Sequence, residues 1–107
     1  MRSLGLDVGD KRIGVALSDP EGTIAFSLTT IASEEEETAI KDIINLAEEY
    51  DIERIVIGLP RSLDGTLGRQ ANKVIAFTER LRNVIASETK QSHLAGVDIQ
   101  MWDERLS

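Results

Sequence analysis

Leu4-Gly5-Leu6-Asp7-Val8 runs into Gly9-Asp10-Lys11, and Arg12-Ile13-Gly14-Val15-Ala16-Leu17-Ser18 follows at once. The first run alternates from Arg2 and stops at a turn signal. The second is extended and rich in Ile, Val and Leu, so the pair predicts an antiparallel β-hairpin. Asp19-Pro20-Glu21-Gly22 supplies the next turn, and Thr23 to Ile31 predicts a third strand, with Thr and Phe where strands favour them. Three antiparallel strands therefore open the chain.

Beyond them the period changes. Ser33 followed three residues later by Glu36 has the form of a capping box, and Glu34 to Glu37 suit the positive end of a helix. Ala39, Ile40, Ile43, Ile44, Ala47 and Tyr50 fall at steps of three and four, which predicts one buried helix face. Arg54 to Leu59 is a continuous apolar run, read as a buried parallel strand. Pro60 to Gly65 predicts a loop. Thr66 to about Ile85, with Thr66 as N-cap, predicts a second amphipathic helix with its cations outward. Ala86 to Gly96 carries no pattern and predicts a polar loop holding His93; Val97 to Trp102 predicts a last strand. The order is βββαβαβ, an α/β fold with a mixed five-stranded sheet, three antiparallel strands and then parallel ones joined by right-handed crossovers.

The 107 residues suit one domain with a real core. With no cysteine and a single histidine, any metal would be held by oxygen ligands. No apolar run approaches the ~18 residues of a membrane span, and Met1-Arg2-Ser3 leads straight into a strand, so a cytoplasmic place is expected. The net charge of −7 speaks mildly against a nucleic-acid partner. It is unevenly spread, however: residues 34 to 53 sum to −8 and residues 61 to 90 to +3.

Three stretches can carry chemistry. Asp7 is an acid in an apolar strand, costly to bury unless paired, hydrogen-bonded or bound to a metal. Gly5 and Gly9 beside it would let a phosphate or an ion approach the backbone, and the alternative is that Asp7 caps the hairpin turn. Asp103 and Glu104 stand at the carboxyl end of a parallel strand, where ligands gather in open α/β sheets. Alternation places Asp103 with Val97, Ile99 and Met101, and Glu104 on the other face. Arg105 pairs with one of these acids or contacts a phosphate. Gly58-Leu59-Pro60-Arg61-Ser62-Leu63-Asp64-Gly65 leaves a strand into a loop, which either borders the same site or is an ordinary helix start. Carboxylates on neighbouring strand ends, Asp7 with Asp103 and Glu104 beside them, suit Mg²⁺ or Mn²⁺ in metal-dependent phosphodiester hydrolysis. Arg12, Arg61, Arg69, Lys73 and Arg105 would contact the nucleic acid.

Gly5-x-Asp7-x-Gly9-x-x-Arg12-x-Gly14-x-Ala16 with Ser18-Asp19, Gly58-Leu59-Pro60 with Asp64-Gly65-Thr66, and Asp103-Glu104-Arg105-Leu106 together resemble the YqgF/RuvX family over nearly the whole chain. The resemblance implies an RNase H-like fold and a nuclease of pre-16S ribosomal RNA, a family earlier described as Holliday junction resolvases. It maps the first-strand aspartate to Asp7 and the last-strand acids to Asp103 and Glu104. It also implies structured RNA rather than branched DNA as partner. Relatives continue past this motif into a helix bearing a further aspartate, whereas the sequence stops at Ser107. A face left uncovered by that helix would favour a homo-oligomer, and two other readings stand beside the nuclease: a nucleic-acid-binding module without catalysis and a fragment of an actin-like or sugar-kinase ATPase.

Overall fold

A computed structural model describes residues 2–18, 25–59, 68–88 and 93–103. Five strands form one sheet: β1 Ser3–Val8, β2 Arg12–Ser18, β3 Ala25–Ala32, β4 Arg54–Leu59 and β5 Asp98–Asp103. Their order is β3-β2-β1-β4-β5, antiparallel among the first three and parallel from β1 through β4 to β5. Two helices, α1 Glu36–Glu49 and α2 Arg69–Glu88, complete the βββαβαβ order, with a short 3₁₀ helix at His93–Gly96.

Burial alternates along every central strand. Leu4, Leu6, Ile13, Val15, Ile55 and Ile57 are buried on one face, and α1 and α2 cover that face with Ile40, Ile43, Val74 and Leu81. Each such side chain contributes about 1.5–3 kcal/mol through removal of apolar surface from water. β4, expected to be buried throughout, is buried only at every second residue, because both described helices pack on the same side of the sheet. The opposite face carries Gly5, Asp7, Gly14, Ala16, Val56 and Gly58.

Several local expectations change. Ser33 forms no capping box. Glu35 is the N-cap of α1 and makes no side-chain cap bond, while the Ser33 hydroxyl donates toward the carbonyls of Gly9 and Asp10 at 3.5 and 3.4 Å and the Ser33 amide bonds Lys11 O at 2.9 Å. The hairpin turn captured the residue that local spacing assigned to the helix. Tyr50 is the half-buried C-cap of α1, and Asp51 beyond it adopts φ 52°, the left-handed conformation that ends helices. α2 runs on to Glu88, and the stretch expected as a polar loop includes the 3₁₀ helix that buries Leu94 completely. The turn at 19–22, the loop at 60–65 and the N-cap Thr66 lie outside the described residues.

Ile57 sits at the centre of the buried face with no exposure. Ile57→Ala is expected to cost about 2–5 kcal/mol and Ile57→Val about 0.5–1.5 kcal/mol, as read from the midpoint of urea unfolding at unchanged slope.

Candidate active site around Asp7

Asp7 is the fifth residue of β1. With Leu4 and Leu6 facing the helices, the pleat turns Asp7 to the open side, where it is exposed. The expected burial of an acid in an apolar strand therefore does not occur, and no desolvation has to be offset. Asp7 belongs to the strand ladder, opposite Gly14 of β2.

The glycines beside Asp7 in sequence are not the ones that open its surroundings. Gly9 serves the turn: its amide bonds Arg12 O at 2.8 Å, and a Cβ there would stand 3.0 Å from that same oxygen. Gly5 lies over Ala16. The relevant glycines come from the neighbouring strands. Gly14 pairs with Asp7, and a Cβ built on it would stand 3.7 Å from the Asp7 Cβ. On the other edge Leu6 pairs with Ile57, so one step further the parallel register sets Asp7 level with Gly58, which in turn pairs with Trp102. Thr30, Gly14 and Asp7 form one row of pairs, and Gly58 and Trp102 form another, one register step past the last β1–β4 pair. The acid stands in a lane without side chains on either hand. It lies in a groove of about 790 Å³ on the open face, with Ser27, Thr29 and Thr30 along one margin and Trp102 at the other. Spacing alone could not show Gly14 and Gly58 as a pair flanking Asp7, because Gly58 belongs to a strand about fifty residues away.

Asp103 pairs with Leu59, two positions along β5 from Met101 and its partner Ile57. Its strand position thus has the parity of the helix-covered face, as alternation predicted, whereas Asp7 and Trp102 share the open one. Glu104, Arg105, Arg61, Ser62 and Asp64 lie outside the described residues. Arg12 has the strand parity of Gly14 and is exposed, which places it on the side of Asp7. Arg69 and Lys73 are exposed on the first turns of α2. Lys73 is paired with Asp10 at 3.0 Å, and Arg80, further along, with Glu36 of α1. The basic outer face expected of α2 is therefore partly neutralised, and it lies across the sheet from the groove. Among the described residues no three His, Asp or Glu side chains cluster as a metal site.

α2 also holds the end of β1. Gln70, which the pattern did not single out, donates from Nε2 to the carbonyl of Val8 at 2.8 Å, and Lys73 grips Asp10 two residues on. The backbone just past Asp7 is fixed from the helix side of the sheet. The exposed Lys73 pair contributes little energy, whereas the part-buried Gln70 bond to the Val8 carbonyl contributes about 1 kcal/mol.

The comparisons with known proteins agree with this architecture. The model of the family described as RuvX, Holliday junction resolvase, matches residues 1–107. The chain belongs to the RuvX family. A relative from Clostridium acetobutylicum, named "Putative pre-16S rRNA nuclease", is 47% identical over 107 residues, covering all of this chain and 72% of its own. One of the same name from Caldanaerobacter subterraneus is 43% identical, with 70% of its length covered. Among solved structures, Thermus thermophilus RuvC in complex with a Holliday junction superposes with TM-score 0.57 over 98% of this chain and 66% of that one, at 14% identity. A "putative sugar kinase" from Cytophaga hutchinsonii superposes at 0.55 over 97% and 36%, at 19% identity. This chain thus shares its sheet with a resolvase and with a protein named as a putative sugar kinase, and the fold alone does not separate those chemistries.

Gln70→Leu is expected to cost about 1 kcal/mol and to speed amide exchange at Gly9 and Arg12 while leaving β4 and β5 unchanged. Uniform acceleration across the sheet would show that Gln70 acts only on global stability.

Proposed function

We propose that this RuvX chain is a nuclease that hydrolyses phosphodiester bonds in precursor 16S ribosomal RNA, at its 5′ end, with Asp7 as the central carboxylate. The observation that carries the reading is the placement of Asp7: an exposed acid opposite Gly14, in a groove that Gly58 also lines, on the open face of the sheet. Such a lane admits a phosphate and a hydrated ion where any larger side chain would intervene. The names of the relatives at 47% and 43% identity support ribosomal RNA over branched DNA. The whole-chain family match supports a nuclease over the ATPase reading.

The donor chemistry fits a hard divalent cation, Mg²⁺ or Mn²⁺, because the chain has no cysteine and Asp7 is an exposed carboxylate. Asp7 and one or both of Asp103 and Glu104 would hold it. Strand alternation favours Glu104 as the acid that returns to the face of Asp7, with Asp103 at the strand end beside it. Bound there, the ion would supply a nucleophilic hydroxide at neutral pH and stabilise the leaving oxygen. The part of the protein is to hold the carboxylates still: β1 is paired on both edges, and its exit is held by Gln70. Arg12, Arg61, Arg69, Lys73 and Arg105 would contact the phosphate backbone. The absence of cysteine and the ribosomal RNA substrate support a cytoplasmic location, and no described helix is long and apolar enough to cross a membrane.

The test is cleavage of a structured RNA carrying the 16S precursor junction and of a four-way DNA junction, each with Mg²⁺ or Mn²⁺. Asp7→Asn is expected to lower RNA cleavage by more than the roughly 10–100-fold that loss of an outer-sphere partner costs. Glu104→Gln is expected to do the same, and Gly14→Val to reduce cleavage while unfolding like the parent chain. Equal rates for the parent and Asp7→Asn would remove Asp7 from the chemistry. Cleavage confined to the DNA junction would turn the reading to a resolvase.

A further inference from the structure

The groove that holds Asp7 ends at Trp102, and the residues between them carry little. Trp102 is 49% exposed on β5, an edge strand. Its register partner is Gly58, and the strand position beyond Gly58 belongs to Asp7. With strands about 4.8 Å apart, the backbones of Trp102 and Asp7 are separated by about 10 Å, and between them stands a residue with no side chain. A large aromatic ring half in solvent is usually accounted for by a protein neighbour, and here the cross-strand neighbour that would cover it is a glycine.

The rest of the groove says what could lie against the ring. Among its described lining residues there is no lysine or arginine, and Asp7 is the one charge. The phosphate of the bond to be cut belongs at Asp7, where the ion would meet it; toward Trp102 the described lining offers a phosphate no cationic partner. Ser27 and Thr30, which pair with Ala16 and Gly14 of the open face, offer hydroxyls that both donate and accept, and the floor of Gly14, Ala16 and Val56 is small and apolar. An uncharged, planar, hydrogen-bonding group of the size of a heterocycle fits these features together.

We infer that Trp102 is a stacking platform for one unpaired nucleobase next to the bond held at Asp7. The inference rests on the nucleic-acid reading above and deepens it by naming what the site requires of its substrate: a base free of the duplex stack, since an indole set in a sheet face can receive only a base that has left its neighbours. Trp102 is a specificity residue here. It touches the substrate two strands away from the carboxylate and takes no part in bond cleavage.

Trp102 is the only tryptophan in the chain, so its fluorescence reports this site alone. The experiment uses the full chain in EDTA, which prevents cleavage, and a short single-stranded RNA alongside the same strand with an abasic centre. Expected are quenching by the complete strand but not by the abasic one, and a loss of affinity of about tenfold or more in Trp102→Ala for the complete strand only. Trp102→Phe should retain most of the affinity. Equal quenching and equal affinity for the two strands would overturn the inference and leave the nuclease reading intact. Failure to bind either strand would overturn the inference too, and cleavage of the structured RNA with Mg²⁺ or Mn²⁺ then decides the nuclease reading separately. An emission blue-shifted with protein concentration and indifferent to RNA would assign this face to a second copy of the chain and overturn it as well.

Discussion

Leu4 and Leu6 project from β1 into the layer that Ile55 and Ile57 of β4 share with α1 and α2, and the backbone between them is hydrogen-bonded on both edges, antiparallel to β2 and parallel to β4. That double constraint sets the rest. The pleat leaves Asp7 no face but the open one, and its pairing with Gly14, next to the Leu6–Ile57 pair on the other edge, fixes its Cα. A slip of one residue in either ladder would turn Asp7 into the core and Leu6 into solvent. The same packing that stabilises the sheet therefore aims the carboxylate, and no separate device is needed to orient it.

The period of the sequence carried much of the architecture. The hairpin around Gly9-Asp10-Lys11, the stripe of Ala39, Ile40, Ile43, Ile44 and Ala47, and the run from Arg54 to Leu59 each announced an element through local spacing, and each appears within a few residues of its expected bounds. What spacing could not give were relations across strands. Gly14 reads as one more small residue in β2, and Gly58 as the start of a loop motif; only the register shows them flanking Asp7. Ser33 illustrates the reverse error. Its distance from Glu36 fits a capping box, but the hairpin turn lies within reach and takes both its amide and its hydroxyl. Gln70 was invisible for the same reason, since its partner is the carbonyl of Val8 far back in the chain.

Charge was legible as an imbalance and misleading as a surface. The acidic stretch and the basic stretch become α1 and α2, side by side on one face of the sheet, where Arg80 meets Glu36. Part of the positive field expected to guide a polyanion is consumed inside the helical layer. On the other face the described groove residues are nearly uncharged apart from Asp7. The two faces of the sheet are thus specialised: one supplies stability and cross-neutralised charge, and the other supplies small residues, hydroxyls, a carboxylate and an indole.

The strand order also has a consequence for how the chain comes together. The three-stranded meander closes from contacts between residues near in sequence, whereas the second edge of β1 must wait for Arg54–Leu59, and β4 in turn for Asp98–Asp103. Closing those long loops is the slow, entropically opposed part of assembly. During synthesis the meander leaves the ribosome with one edge of β1 unpaired and its leucines uncovered until α1 and β4 follow. An exposed strand edge of that kind is a template for pairing with other chains. The interval between completion of β3 at Ala32 and of β4 at Leu59 is therefore when the open edge of β1 is most vulnerable to aggregation.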